Sequence, residues 1–104
     1  MKISPARTAA FDVLIKIETA RAFSSHLLPA YEQKLSPKDR ALCHEMVLGV
    51  LRRQIYLDKI IDNFAGGKRL DTAVRLALRL GLYQIYFLDK IPHHSAINES
   101  VNLV

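Results

Sequence analysis

The stretch that most restricts the fold is Asp71 to Asn98, DTAVRLALRLGLYQIYFLDKIPHHSAIN. Apolar residues recur on almost every side of a helix here: Ala73, Val74, Leu76, Ala77, Leu78, Leu80, Leu82, Tyr83, Ile85, Tyr86, Phe87 and Leu88. A helix apolar on more than one stripe belongs in the middle of a bundle. Its run from Leu80 to Leu88 is too short to cross a bilayer, and Arg75, Arg79 and Asp89 flank it. Arg75 and Arg79, four apart, project from one side. Glycine within a helix costs roughly 1 kcal/mol against alanine, so Gly81 predicts a tight helix contact. Ile91-Pro92 stops the helix, and Ser95 can cap the next one. A central hydrophobic helix with a partner, and other helices packed around them, is the expected architecture.

The rest of the chain supplies those other helices. Ser4-Pro5 gives a capping hydroxyl and a proline at the first helical position. Ala9 or Ala10, Val13, Leu14 and Ile17 then mark one helix face to about Thr19. Ser24 or Ser25 can cap a second helix with Leu27, Leu28, Tyr31 and Leu35 as its apolar positions and Pro29 in its first turn or two. Ser36-Pro37-Lys38-Asp39 repeats the Ser-Pro start before Leu42, Cys43, Met46, Val47, Val50 and Leu51. Gly49 interrupts that helix and marks a place where another helix can cross closely. Arg52 and Arg53 close it, suiting the negative end of the helix dipole or a phosphate. Ile55, Leu57, Ile60, Ile61 and Phe64 form a fourth helix, with Asp58 and Asp62 expected beside Lys59 and Arg53. Gly66-Gly67 stops it, and Asp71 or Thr72 caps the central helix. After Pro92, Ile97, Val101 and Val104 share the face of a last helix. The chain ends about two and a half turns into it without a cap signal, which leads us to expect a further domain downstream. No alternation characteristic of strands persists anywhere.

At 104 residues, half of them apolar, the chain is expected to form one domain, residues 1–104. Cys43 is the single cysteine, so no internal disulfide and no multi-thiolate zinc site can form. It lies in an apolar stretch and reads as a buried small hydrophobe. The N-terminus carries Arg7, Asp12, Lys16 and Glu18 and so lacks the apolar core of a signal peptide. A reducing, cytoplasmic location is the expectation. The net charge is +5, and residues 52 to 79 hold Arg52, Arg53, Lys59, Lys68, Arg69, Arg75 and Arg79 against Asp58, Asp62 and Asp71. That concentration is the footprint of a nucleic-acid binder, although a charge of this size is also compatible with no polyanion partner. Lys2 and Arg7, beside the free amides of the first helix, could add a phosphate contact.

Candidates for catalysis are sparse. Gly66-Gly67-Lys68-Arg69 lacks the GxxxxGK[ST] spacing and a preceding strand, so a capped helix followed by an exposed basic turn is the plainer account. His93-His94 with Glu99, and His44-Glu45, do not fall into a metal-ligand spacing; H-E-x-x-H is absent. No nucleophile–histidine–acid pattern and no dinucleotide turn is present. Most aromatic residues lie on apolar faces and read as core packing; stacking of a base on Tyr56, beside Arg52-Arg53, is compatible with the sequence but nothing in it requires it.

Taken in order, Asp39-Arg40, Leu48-Gly49-Val50-Leu51-Arg52, Leu57-Asp58, Leu78-Arg79-Leu80-Gly81-Leu82-Tyr83-Gln84, Ile91-Pro92-His93, Ala96-Ile97-Asn98-Glu99 and Val101 resemble the NusB-type helical domain. The likeness is greatest to the version at the N-terminus of the RsmB (Sun/Fmu) ribosomal RNA cytosine-C5 methyltransferases. It runs from about Arg7 to Val104. It implies an all-α, NusB-like bundle of about six helices in two small subdomains. It further implies RNA binding, by the N-terminal domain of a 16S ribosomal RNA 5-methylcytosine methyltransferase that binds or positions the substrate. This chain alone would then be non-catalytic and hold no cofactor. S-adenosylmethionine would belong to a catalytic domain downstream. Ribosomal RNA is the implied partner, with the chain's own C-terminal methyltransferase domain or a ribosomal protein as protein partners, and no membrane. The family pattern is matched at Arg52, Arg79, Gln84, Asn98 and Glu99, where Arg52 or Arg79 could instead pair with Glu99 or Asp58 between helices. Free-standing NusB antitermination factors carry a denser N-terminal arginine cluster than Lys2 and Arg7 provide, so transcription antitermination is the alternative role, and a docking module without RNA contact is another. The residues expected to contact RNA are Arg7, Arg52, Arg53, Lys68, Arg69, Arg75 and Arg79.

Overall fold

The computed structural model describes residues 4–21 and 24–88. Among the described residues five helices follow one another: α1 (Pro5–Ala20), α2 (Ser24–Glu32), α3 (Pro37–Arg52), α4 (Gln54–Ala65) and α5 (Thr72–Phe87). Both Ser-Pro starts act as expected. The Ser4 and Ser36 hydroxyls accept from the amides of Arg7 and Asp39, three residues on, with proline opening each helix. Gly66 ends α4 in the left-handed conformation, φ 61°, with its amide bonded to the Asp62 carbonyl. Leu35, expected within the second helix, instead lies past its end and packs on the core from the turn. Arg40 fixes that turn: its guanidinium donates to the carbonyls of Glu32 and Leu35 at 3.2 Å each, closing the end of α2. His44 on α3 reaches back to Glu32 at 2.8 Å. The last expected helix, with Ile97, Val101 and Val104, lies outside the described residues, as do Lys2, His93, His94, Asn98 and Glu99.

Helices α1, α2 and α3 pack on one another, α4 pairs with α5, and α5 also lies against α1 and α3. Two groups of helices therefore meet along α5, the apolar helix that the sequence places at the centre. Ala6, Ala10, Val13 and Leu14 from α1, Cys43, Met46, Val47 and Val50 from α3, Leu57 from α4, and Leu76 and Leu80 from α5 make one continuous core. Gly49 supplies the close approach: a Cβ there would overlap the ring of Tyr83. Gly81 is buried within α5. Among the described residues no helix is long and apolar enough to cross a membrane.

Cys43 is fully buried in this core. Burial, and to a lesser degree the charge of Glu32, push its thiol up to about 11. The thiolate is the nucleophile, so the folded protein at pH 8 should leave iodoacetamide unreacted and become labelled only in urea. Labelling of the native state, read by mass spectrometry, would contradict this packing.

Candidate nucleic-acid interface

The seven cations singled out from the sequence do not form one surface. Two are buried. Arg7 is 6% exposed; its Nε donates to Gln84 Oε1 at 2.6 Å, and one terminal nitrogen donates to Ser4 Oγ at 3.1 Å. Gln84, itself fully buried, completes the link by donating to the Leu80 carbonyl at 3.0 Å. This tie fixes the start of α1 to the last third of α5. A guanidinium so placed has no face for a phosphate, in contrast to the surface position expected for it.

Arg79 is 4% exposed and grips Asp58 with two parallel bonds, Nε to Oδ1 at 2.7 Å and Nη2 to Oδ2 at 2.8 Å. Planar two-point pairing of this kind is the strong form of an ion pair. Arg75, one turn earlier, joins Asp58 at 3.3 Å and Asp62 at 2.8 Å. The Arg75–Arg79 pair of α5 thus faces the Asp58–Asp62 pair of α4, each spaced by one turn. Burial disfavours the charge on Asp58, but the hydrogen bonds and charges of Arg79 and then Arg75 outweigh it and hold the carboxyl below its ordinary value of 3.8. Asp58 and Asp62, expected beside Lys59 and Arg53, lock α4 onto α5; of the interhelical pairings the sequence offered, Arg79 with Asp58 is the one formed. Arg75 and Arg79 are spent on that lock.

Four of the expected cations remain on the surface: Arg52, Arg53, Lys68 and Arg69. They sit in two pairs at opposite ends of α4. The twelve residues of α4 separate them by about 18 Å at the usual rise. Arg53 is the single residue between α3 and α4, at φ −106° and ψ 14°. Its guanidinium carbon lies 4.5 Å from the centre of the Phe87 ring, a cation–π contact that leaves the charge outward. Phe87 also stacks on Tyr83 (5.3 Å, 27°) and stands nearly perpendicular to Tyr56 (6.0 Å, 70°). Tyr56 remains half exposed. Lys59, three residues further on α4, is exposed as well and falls on the same helix face as Tyr56. It was not among the expected contacts, although its spacing from Tyr56 could have flagged it.

Beside the C-terminal end of α4 lies an open apolar groove of about 270 Å³, lined by Ile61, Phe64, Ala65, Leu70, Leu78 and Leu82. Phe64 is 84% exposed there. Among the described residues no group of histidine, cysteine and carboxylate side chains could hold a metal ion.

Comparison with known proteins agrees with the helical arrangement. The model of the NusB family matches residues 4–104. A probable ribosomal RNA small subunit methyltransferase B of Bacillus subtilis is 37% identical over 99% of this chain and 24% of its own length. Its Synechocystis counterpart is 38% identical over 94% of the chain and 23% of its own length. The Vibrio cholerae ribosomal RNA small subunit methyltransferase B is 34% identical over 91% and 22%. The chain thus spans about a quarter of the length of these curated relatives. No solved structure gives a significant match. The match over almost the whole chain, joined to the bundle that the described helices build around the apolar α5, establishes that this chain belongs to the NusB family.

Proposed function

We propose that this chain is the RNA-binding domain of a small-subunit ribosomal RNA cytosine methyltransferase, with the chemistry and the S-adenosylmethionine site residing elsewhere in such an enzyme. The observation that carries the reading is the division of the cations. Arg7 and Arg79 are buried and Arg75 is paired with Asp58 and Asp62, whereas Arg52, Arg53, Lys68 and Arg69 stay outward at the two ends of α4. The two outward pairs stand about 18 Å apart across α4. The footprint proposed is therefore those four residues with Lys59 between them. It leaves out Arg7, Arg75 and Arg79. Such a surface holds phosphates without reading sequence, which suits a domain that positions a substrate for a separate catalytic unit.

Replacing Arg52, Arg53, Lys68 and Arg69 together by alanine should weaken binding of a small-subunit ribosomal RNA fragment roughly 10- to 100-fold at low salt. The slope of log affinity against log salt should flatten by about 0.7 per lost contact. A scrambled RNA of the same length should lose affinity to a similar degree. Unchanged affinity in the fourfold variant would remove these residues from the footprint. A second reading rests on the apolar groove with the exposed Phe64: the α4–α5 edge would dock the catalytic part of the methyltransferase, the curated relatives being about four times as long as this chain. Absence of salt-sensitive RNA binding by the unaltered chain would transfer the assignment to that groove.

A further inference from the structure

We propose that Tyr56 is a stacking platform for one unpaired base, so that this surface takes a single-stranded segment of RNA, a loop or a bulge, in preference to a continuous duplex. The inference rests on the RNA reading given above and adds the ligand's conformation to it. Three observations carry it. Tyr56 stands in the first turn of α4 and keeps half its surface open to solvent, next to the fully buried Leu57. Its ring stands nearly perpendicular to that of Phe87, 6.0 Å between centres, and Phe87 is itself held by Tyr83 and by the Arg53 guanidinium. Cations lie on both sides along the chain, Arg52 and Arg53 before it and Lys59 one turn after it, all exposed.

Each observation has a physical consequence. A supported ring loses little freedom when a ligand lands on it, so less of the stacking energy is consumed in ordering it. An aromatic face between cations matches a nucleotide, whose base is flat and whose phosphates flank it on either side. A duplex keeps its base faces stacked inside and presents only phosphates, sugars and groove edges. Only an unpaired base can use Tyr56, whereas any RNA can use the arginines. Charge and ring therefore make separable contributions: the cations set affinity and its salt dependence, and the tyrosine sets the preference for unpaired strands.

The chain contains no tryptophan, so Tyr56→Trp provides a single reporter at the site. Two fluorescently labelled probes would be used with the 104-residue chain, an oligouridine of about twelve nucleotides and a blunt RNA duplex of equal length, with binding read by anisotropy. Tyr56→Ala should weaken oligouridine binding about tenfold, leave its salt slope unchanged, and leave duplex binding unchanged. Tyr56→Phe should retain the affinity, since the ring is kept. In Tyr56→Trp the indole emission should be quenched by oligouridine and not by the duplex. Oligouridine that binds with normal affinity to Tyr56→Ala, or that binds Tyr56→Trp without quenching, overturns the stacking proposal and leaves the RNA reading standing. Failure of the unaltered chain to bind either probe at low salt overturns both.

Discussion

Asp58→Ala should cost about 3 kcal/mol of folding stability, measured by urea unfolding, the low end of the range for removing one member of a buried pair. The reason is the charge left behind. Arg79 has a side chain 5% exposed, and Asp58 is the carboxylate that satisfies it with two parallel bonds. Without Asp58, Arg79 stays charged in an apolar helix, because guanidinium does not give up its proton. The low end applies because the Asp58 side chain is 27% exposed, so water can partly fill the gap. Arg75 is less affected, since Asp62 still holds it at 2.8 Å. Asp58→Leu combined with Arg79→Leu should recover much of the loss, because exchanging both members of a buried pair for apolar groups of similar volume is often neutral or better. Acid provides a second readout. The folded chain holds the Asp58 carboxyl below its ordinary 3.8, so it binds fewer protons there than the unfolded chain does. The stability from this site is complete above about pH 5 and is lost as pH falls through the folded value. Asp58→Ala should therefore flatten the acid limb of the stability curve. A variant as stable as the parent, with the same acid limb, would show that the pair does not hold α4 to α5.

The elements of this fold are written locally, and the partners are not. Ser4-Pro5, Ser36-Pro37 and Gly66 each act through contacts a few residues away, which a linear reading can see. The apolar character of α5 likewise requires burial whatever surrounds it. The cations behave differently, because their roles depend on residues far along the chain. Arg79 meets Asp58 across 21 residues, and Arg7 meets Gln84 across 77. The Arg79–Asp58 pair is nonetheless among the alternatives the sequence offers, because Arg79 stands within an apolar helix, where a charge needs a partner. Arg7 lies three residues before Ala10 and seven before Leu14, which puts it on the buried face of α1. The charge count alone made these arginines look like part of an RNA surface. Which helix supplies each acid is fixed by the packing of α4 on α5 and of α1 on α5, and periodicity within one helix carries no information about that.

Gly49→Ala should destabilise the chain by about 1–3 kcal/mol, the usual cost of forcing extra volume into a packed site. The sign is informative. In an exposed helix interior the same change would stabilise by roughly 1 kcal/mol, because alanine is the better helix former. Here the added Cβ would overlap the Tyr83 ring. That ring is 7% exposed and stacked on Phe87, so it cannot swing away without disturbing what it holds. Phe87 in turn carries Arg53 and supports Tyr56, and a strain that begins between α3 and α5 therefore reaches the surface proposed to meet RNA. Tyr83→Leu would remove the end of the ring and make room for the methyl group. In a double-mutant cycle Gly49→Ala with Tyr83→Leu should cost less than the two changes summed, with a coupling of about 1 kcal/mol or more. A stabilising Gly49→Ala, or strict additivity with Tyr83→Leu, would mean that α3 and α5 do not approach each other through this glycine. If the approach is real, Gly49→Ala should also lower RNA affinity under conditions where the variant remains folded, and Tyr83→Leu should not restore it, since that change removes the ring that stacks on Phe87.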